Sequence, residues 1–288
     1  MKMLVIKFGR SVSVLAILLA VIPLFEHAQA AASYALPTKP GIWLSPDPRR
    51  KLSDAHTMEL VQSLQRITGF RQLGFTENGL LMNESPCSSA EGAVEARQVL
   101  ERARQSGHVF IIEDYSGSDE VHFGQLDEGT NYEDTRTGIR LLIWRVRLDF
   151  ADFHDMEAAQ DVRASFDCGF TALHELLHGL GHTDSLQEDS LGEIEEILNR
   201  ARTELQLPLR DSYFGELVPI STRMISLRLR FLPQPSTQAA QAAQSARALG
   251  SAPPLKRKAK YLFFLLPHSY RPLLTVSGLV RIGCGPQR

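Results

Sequence analysis

The spacing of apolar residues predicts two helices in the first part of the chain. Across residues 57–67 the apolar positions recur every three or four residues, as they do on one face of an amphipathic helix. Gly69 then supplies a stop, because glycine commonly follows the last turn of a helix. A second helix is predicted over residues 90–105.

The segments that follow are typical of β-strands. Residues 109–115 and 121–126 are short and rich in apolar side chains, and residues 137–150 carry apolar side chains on one face and arginines on the other. The polar, turn-rich stretch 131–138 predicts a loop between them. Helices, then strands, then further helices indicate an α+β fold with a mixed or antiparallel sheet.

The candidate chemistry lies in the HExxH pattern formed by His174, Glu175 and His178. At 3.6 residues per turn, positions four apart lie about 40° apart around a helix and roughly 6 Å along it. Both imidazoles can therefore reach one metal ion, and neutral imidazole nitrogens suit Zn²⁺. A catalytic zinc ion keeps one position for water, whose pKa falls to about 7, and Glu175 is then placed to take the proton of that water.

The residues around this pattern predict a buried helix. Asp167 or Ser165 can cap its start, and Gly179 and Gly181 can end it. The ligand positions have five apolar neighbours, which are Phe170, Leu173, Leu176, Leu177 and Leu180.

A sheet edge beside such a helix can bind an extended substrate as an added strand. Residues 139–150 are the candidate for that edge, but a central position in the sheet, without substrate contact, is the favoured interpretation.

The amino-terminal residues 1–30 have the pattern of a secretory signal peptide. Basic residues precede an apolar segment at 11–25, and Ala28-Gln29-Ala30 forms a cleavage site. The apolar segment is interrupted by Pro23 and is shorter than the about 18 residues of a membrane-spanning helix. We therefore expect a chain exported by a cleaved signal peptide to the periplasm or the exterior.

The net charge of the chain bears on its possible partners. The chain has 31 Lys and Arg against 33 Asp and Glu, a formal net charge of −2, and removing the signal peptide makes it more acidic. This balance does not favour nucleic acid as a partner.

Cys87, Cys168 and Cys284 permit one disulfide with one thiol left over, and a bridge to Cys168 would steady the predicted metal helix. Buried, unbridged cysteines are the alternative.

The carboxyl-terminal part changes composition at Pro233. Residues 31–232 are expected to form the zinc peptidase domain, and residues 233–260 a linker rich in Gln, Ala and Pro with a basic end. Residues 261–288 form a short apolar tail. The basic cluster and the apolar run could contact an anionic membrane surface weakly, while a strand packed on the domain, or a poorly ordered tail, is the preferred interpretation.

The segment after the metal helix resembles a known family. An acidic helix leads into the motif Asn-x-x-Arg-x-Glu-Leu-x-Leu-Pro-x-Arg-x-x-Tyr, from Asn199 to Tyr213. Together with the HExxH pattern it resembles the zinc metallopeptidase effectors of bacterial pathogens, which are injected into host cells and cut signalling kinases. That family is similar in plan to clostridial neurotoxin light chains. The resemblance implies a zincin-like fold and a protein substrate, with a host protein among the candidates. It also implies that Arg210 and Tyr213 stabilise the oxyanion of the tetrahedral intermediate.

The third zinc ligand has three candidates. Asp184 completes HExxHxxGxxD, which resembles the metzincin pattern with Asp in the last place. In that pattern the glycine turns the chain so that the last residue returns to the metal. Met224 falls where the Met-turn of a metzincin would lie. His182 would reach the metal if the helix continued. A glutamate of the following segment would serve in a glutamate-type zincin, and the candidates are Glu188, Glu193, Glu195 and Glu196. The spacing favours Asp184.

The sequence therefore predicts an exported zinc endopeptidase that hydrolyses proteins or peptides with metal-activated water and Glu175 as general base. A secreted, non-catalytic binding protein that keeps a degenerate or structural metal site is the alternative. Metal content and peptide hydrolysis, measured together, distinguish the two.

Overall fold

The structure is a computed structural model. It describes residues 35–84, 91–118, 123–133, 138–185, 190–212, 214–219, 224–234, 260–267, 275–276 and 279–281. Its internal contacts divide the chain into two units, Met1–Leu36 and Pro37–Arg288. The predicted signal peptide lies outside the described residues, as do Cys87 and Cys284.

The second unit alternates short strands and helices. In chain order its strands are β1 (Gly41–Leu44), β2 (Leu73–Phe75), β3 (Leu81–Asn83), β4 (Val109–Asp114), β5 (Gly124–Leu126), β6 (Thr130–Glu133), β7 (Arg140–Leu148), β8 (Leu209–Arg210), β9 (Phe214–Pro219), β10 (Met224–Leu232), β11 (Lys260–Pro267), β12 (Thr275–Val276) and β13 (Leu279–Arg281). Its helices are α1 (Asp54–Thr68), α2 (Val94–Gln105), α3 (Phe150–His154), α4 (Gln160–Ser165), α5 (Cys168–Gly179) and α6 (Gly192–Glu204).

Helices α2 and α5 pack on a mixed five-stranded sheet. Strands β1, β4 and β7 run parallel to one another, and β5 and β6 pair with β7 in the antiparallel direction. Helix α1 packs against both α2 and α5. The apolar side chains of the three helices form one core with Phe110 and Val146 of the strands. The predicted α+β organisation with a mixed sheet is confirmed.

The two amino-terminal helices follow their sequence signals. Helix α1 begins after Ser53, whose hydroxyl accepts a hydrogen bond from the backbone N–H of His56. It ends at Gly69, which has a left-handed conformation with φ of 75°. The predicted stop is confirmed, because this conformation is one that glycine adopts without strain. Helix α2 begins at Val94, four residues later than predicted.

Strand β7 is central, which confirms the favoured interpretation of residues 139–150 and rules out the alternative that they form a free edge of the sheet. It pairs with β4 on one side and with β5 and β6 on the other. Both of its faces are buried, since Ile143 on one face and Val146 on the other are 3% and 0% exposed. Strands buried on both faces are typical of sheet centres. The sheet ends at β5 in this direction.

The predicted loop at 131–138 is also partly a strand. Residues 131–133 belong to β6, which pairs with the first half of β7. Its side chains are polar and mostly exposed, so they produce no alternation of apolar and polar residues. Such a strand is held by backbone pairing rather than by burial.

A second, six-stranded sheet lies in the carboxyl-terminal half, in the order β11-β10-β9-β13-β12, with β8 paired to β10. Strand β11 falls in the predicted tail and pairs antiparallel with almost the whole of β10. Most of the predicted linker, residues 235–259, lies outside the described residues. Weak contact of the tail with a membrane surface stays a prediction. Among the described helices, none is both long enough and apolar enough to cross a bilayer.

Candidate metal centre

Helix α5 carries the HExxH pattern and is capped at its start by Asp167. The carboxylate of Asp167 accepts hydrogen bonds from the backbone N–H groups of Gly169 and Phe170, at 3.1 and 3.0 Å. Ser165, the other candidate cap, instead ends α4 and donates its hydroxyl to the carbonyl of Asp161. Eleven of the twelve residues of α5 are buried, which agrees with the apolar neighbours seen in the sequence.

The helix ends at the two glycines, Gly179 and Gly181, as the sequence predicted. Gly179 is its last residue, and Gly181 has a φ of 93°, a left-handed conformation that turns the chain. This turn brings Asp184 back to the face of α5 that bears His174 and His178. The loop therefore does what the HExxHxxGxxD spacing predicts.

His174, His178 and Asp184 form one cluster. One carboxylate oxygen of Asp184, Oδ2, lies 3.0 Å from His178 Nε2, and the other, Oδ1, lies 3.5 Å from His174 Nε2. The three potential ligand atoms all lie within 4.8 Å of one another. The three side chains are 7% exposed or less. Two imidazole nitrogens and one carboxylate oxygen thus converge on a space that one metal ion could fill.

The other candidates for the third ligand lie elsewhere. His182 Nδ1 is 2.7 Å from a carboxylate oxygen of Glu193, and this pair stands outside the cluster. Glu196 is exposed on α6, and Glu188 lies outside the described residues. Glu195 does contact His174, but through the Nδ1 atom, on the opposite edge of the ring from Asp184. Met224 is the first residue of β10, and its side chain is not among those described.

The electrostatics of the cluster fit a cation. Burial lowers the pKa of His174, but the carboxylates of Asp184, Glu195 and Glu175 together outweigh burial and raise that pKa to about 10. Burial likewise raises the pKa of Asp184, but the neighbouring imidazoles hold it well below its usual value. The metal-free site thus stabilises a positive charge next to Asp184. A metal ion can supply that charge in place of a proton.

Glu175 lies one residue after the first histidine and faces strand β5. Its side chain is buried, and the backbone N–H of Leu126 faces its carboxylate. The second carboxylate oxygen, Oε2, has no hydrogen-bond partner among the described residues. Burial raises the pKa of Glu175. A carboxylate in this position is suited to exchanging a proton, because its charged form is only partly stabilised.

Strand β5 can approach α5 this closely because residue 124 is glycine. A Cβ atom on Gly124 would lie 2.3 Å from Cγ2 of Thr171 and 3.4 Å from Oε1 of Glu175. The first distance is far below van der Waals contact. The absent side chain at this position is therefore a condition for the contact between Leu126 and Glu175.

A pocket opens beside Glu175. Its apolar wall consists of Phe123, Phe166, Phe170 and Leu198. Its polar lining consists of Thr171, His174, Glu175, Glu195, Arg202 and Arg210. Arg210, predicted to stabilise an oxyanion, is thus placed in the same pocket as the predicted base. Tyr213, its predicted partner, lies outside the described residues.

Sequence reasoning missed the buried ion cluster that adjoins the site. Glu195 contacts the guanidinium groups of Arg202 and Arg210, at 2.8 Å each, and all three side chains are 3% exposed or less. Those guanidiniums outweigh burial and hold the pKa of Glu195 well below its usual value. The signal was the spacing: Glu195 and Arg202 lie seven residues apart, two helical turns, on the apolar face of α6.

Cys168 is a free, buried thiol in the first turn of α5. Burial raises the pKa of this thiol, so it behaves as a small apolar side chain. It lies six residues before His174 and forms no bridge within the part of the chain that the structure describes, from which Cys87 and Cys284 are absent.

The chemistry that this arrangement permits is metal-assisted attack on a polarised group. Two imidazoles and a carboxylate can hold a cation, and a buried carboxylate and a guanidinium line the adjoining pocket. No family model, curated protein or solved structure matches the chain.

Proposed function

We propose that this chain is a zinc-dependent endopeptidase with a zincin-like fold. The observation that carries the proposal is the convergence of His174, His178 and Asp184 on one point, with Glu175 on the same turn of α5. Two of these residues come from the HExxH pattern and the third from the loop that Gly181 turns back. The three side chains would hold the metal.

Zinc is the metal that this donor set favours. Catalytic zinc sites commonly have three protein ligands from imidazole and carboxylate groups, whereas structural sites usually have four. The described residues offer three. When bound, zinc supplies a Lewis acid that lowers the pKa of water and polarises a peptide carbonyl.

Glu175 acts as the general base and then as the general acid. Its carboxylate accepts the proton of the attacking water and gives it to the leaving amine. The Leu126 N–H faces the carboxylate, and burial raises the pKa of Glu175, which favours acceptance of a proton.

Strand β5 supports the choice of a peptide substrate. It ends the sheet beside α5, and its backbone contacts Glu175 directly. An extended peptide can pair with such an edge as an added strand, which presents successive side chains to alternate faces. The substrate edge in this proposal is β5 rather than residues 139–150.

The remaining parts of the proposal rest on the sequence. Arg210, and Tyr213 with it, would stabilise charge on the carbonyl oxygen, and the position of Arg210 in the pocket supports this role. The amino-terminal signal supports export, and a host protein is one candidate substrate.

The test combines metal content with hydrolysis on the full chain. We expect about one zinc ion per chain and cleavage of an unstructured protein such as casein. A chelator should abolish cleavage, and added zinc should restore it. Bound zinc without cleavage of proteins or of a random peptide library would favour the non-catalytic binding protein. A chain that binds no zinc would overturn the proposal.

A further inference from the structure

The ring of His174 is held at both nitrogens. Nε2 faces Asp184 at 3.5 Å, within the metal cluster. Nδ1 lies 3.2 Å from Oε1 of Glu195, which comes from helix α6 and is 1% exposed. The two carboxylates therefore approach opposite edges of one imidazole.

This arrangement selects one form of the ring. A neutral imidazole carries one N–H, and a carboxylate beside Nδ1 accepts a hydrogen bond from an Nδ1–H. The lone pair is then on Nε2, the atom that faces His178 and Asp184. A carboxylate in this position also makes the imidazole a stronger ligand and fixes the plane of its ring.

Glu195 is itself fixed by two arginines. Arg202 donates from one terminal nitrogen to Oε2 and Arg210 donates to Oε1, both at 2.8 Å. Arg202 is anchored further by hydrogen bonds to the carbonyl of Ser165 at 2.9 Å and to Oδ1 of Asn199 at 2.9 Å. Its guanidinium also lies over the ring of Phe170, 4.8 Å from the centroid.

These contacts connect three helices around one carboxylate. Ser165 ends α4, Phe170 lies in the first turns of α5, and Asn199 belongs to α6. Arg202 therefore holds the carboxylate of α6 at a fixed position relative to the helix that bears His174. A cluster that served only to join the helices would not need to end on a ligand of the metal cluster.

We propose that Glu195 is a positioning residue for His174 and that Arg202 fixes Glu195 in this role. The inference rests on the proposed metal site and adds to it a residue that contacts no metal. It predicts that Glu195 and Arg202 affect metal affinity even in variants that are fully folded.

The experiment separates positioning from folding by balancing the buried charges. Glu195→Gln leaves two arginines without their carboxylate, so it is expected to destabilise the fold. The double variant Glu195→Gln/Arg202→Met removes one positive charge as well and keeps an unbranched apolar side chain over Phe170. The matched control is Glu113→Gln/Arg145→Met, which removes another buried carboxylate and its arginine partner, 2.5 Å apart.

Each full-chain variant is measured in three ways. Urea unfolding without metal shows that it is folded. Competition with a chromophoric chelator gives the affinity for Zn²⁺, and the visible spectrum of the Co²⁺ form reports the geometry of the ligands. We expect the double variant to fold, to bind Zn²⁺ about 10–100-fold more weakly than the parent and to show a changed Co²⁺ spectrum. The control should match the parent in both metal measurements.

A folded double variant with the parental Zn²⁺ affinity and Co²⁺ spectrum would overturn this inference and leave the proposed function intact. A parent chain that binds no Zn²⁺ would overturn both. If the double variant does not fold, Glu195→Asp gives the decision, because aspartate keeps the charge but is one methylene too short to reach Nδ1 and both arginines. Parental metal affinity in a folded Glu195→Asp would also overturn the inference.

Discussion

Asp184 and Glu195 flank the same imidazole, but their surroundings differ. Asp184 lies in the loop after α5 and faces the rings of His174 and His178, which are charged only when protonated. Glu195 lies in the interior of α6 and faces Arg202 and Arg210, which are always charged. One carboxylate is balanced by groups that titrate and the other by groups that do not.

The difference indicates how the two carboxylates are used. A carboxylate paired with imidazoles can exchange protons on those rings for a metal ion with little change in local charge. A carboxylate paired with two guanidiniums keeps its partners under all ordinary conditions, and removing one partner of such a buried pair is costly. We therefore infer that the Asp184 side of His174 binds the metal and that the Glu195 side is scaffold.

The largest effect is expected from Asp184→Asn. This change keeps the shape of the side chain but removes the charge from a proposed metal ligand. We expect Zn²⁺ affinity to fall by more than the about 10–100-fold expected for Glu195, and hydrolysis to be lost with it. Affinity is measured by competition with a chelator. If Asp184→Asn retains zinc while Glu195→Gln loses it, the two carboxylates have the opposite roles.

The next effect is the loss of the base in Glu175→Gln. Glutamine keeps the size of the side chain and its contact with β5 but cannot accept the proton. We expect kcat to fall by about 10²–10⁴-fold while zinc content stays at one ion per chain. Glu196→Gln, a change of an exposed glutamate on α6, is the control and should leave both quantities unchanged. Loss of zinc in Glu175→Gln would show that this residue acts as a ligand.

Arg210→Lys sharpens the comparison, because Arg210 contacts Glu195 and also lines the pocket. Lysine keeps the positive charge but loses the fork of donors. We expect kcat to fall by about 10²-fold at an unchanged KM, as for a donor that acts on developing charge. Arg200→Lys, at an exposed position of α6, is the control. A fall in zinc affinity that matches the fall in kcat would mean that Arg210 acts only through Glu195.

The two sides of His174 should also respond differently to pH in the metal-free chain. Asp184 and Glu195 have pKa values below those of the unfolded chain, 3.8 and 4.5, so the stability that they contribute is present above these values and is lost as the pH falls below them. The pKa of His174, about 10, lies above its unfolded value of 6.5. The contribution of His174 to the stability of the fold is therefore complete below pH 6.5 and is lost as the pH rises through 10.

Bound zinc should remove the alkaline loss, because a ligated His174 is already neutral. The measurement is the urea midpoint from roughly pH 3 to 10, with and without zinc. An alkaline loss of equal size in both forms would contradict the assignment of His174 as a ligand. In Glu195→Gln/Arg202→Met the acid loss should be smaller than in the parent.

The smallest effect is expected from the pair of His182 and Glu193. It joins the loop after α5 to the start of α6, and the glutamate is 56% exposed. His182→Asn should change the free energy of unfolding by only about 0–1 kcal/mol and leave zinc affinity unchanged. Thermal unfolding and chelator competition check both. A large loss of zinc affinity would return His182 to the list of candidate ligands.

The fold could be predicted where residues are buried on one side with a regular period. Helix α1 and its glycine stop were evident for this reason, whereas strand β4 was evident as a short, continuous apolar run that is buried on both faces. Strand β6 could not be seen, since its polar side chains remain exposed and backbone pairing alone defines it. The position of β7 in the sheet depends on partners distant in the sequence, and a local pattern does not report them.

The candidate site could likewise be predicted where local spacing defines it, but not where it depends on residues distant in the sequence. Local spacing placed His174 and His178 on one face of α5, and Gly181 marked the turn that returns Asp184. The spacing of Glu195 and Arg202 was a signal that they share one face of α6, but it did not show that both are buried, because an acidic residue in a charged helix usually faces solvent. The burial of Glu195 depends on how α6 packs against α5, with Arg210 arriving from β8.

The close approach of Gly124 to Thr171 has a consequence for how sequences of this kind diverge. A methyl group at position 124 would overlap the Thr171 methyl, so alanine at 124 becomes tolerable only once residue 171 has lost that methyl, as in Thr171→Ser. The two positions lie 47 residues apart in the sequence, yet the side chain that one position tolerates depends on the residue at the other. We therefore expect a related sequence with alanine at position 124 to carry a residue without that methyl group at position 171.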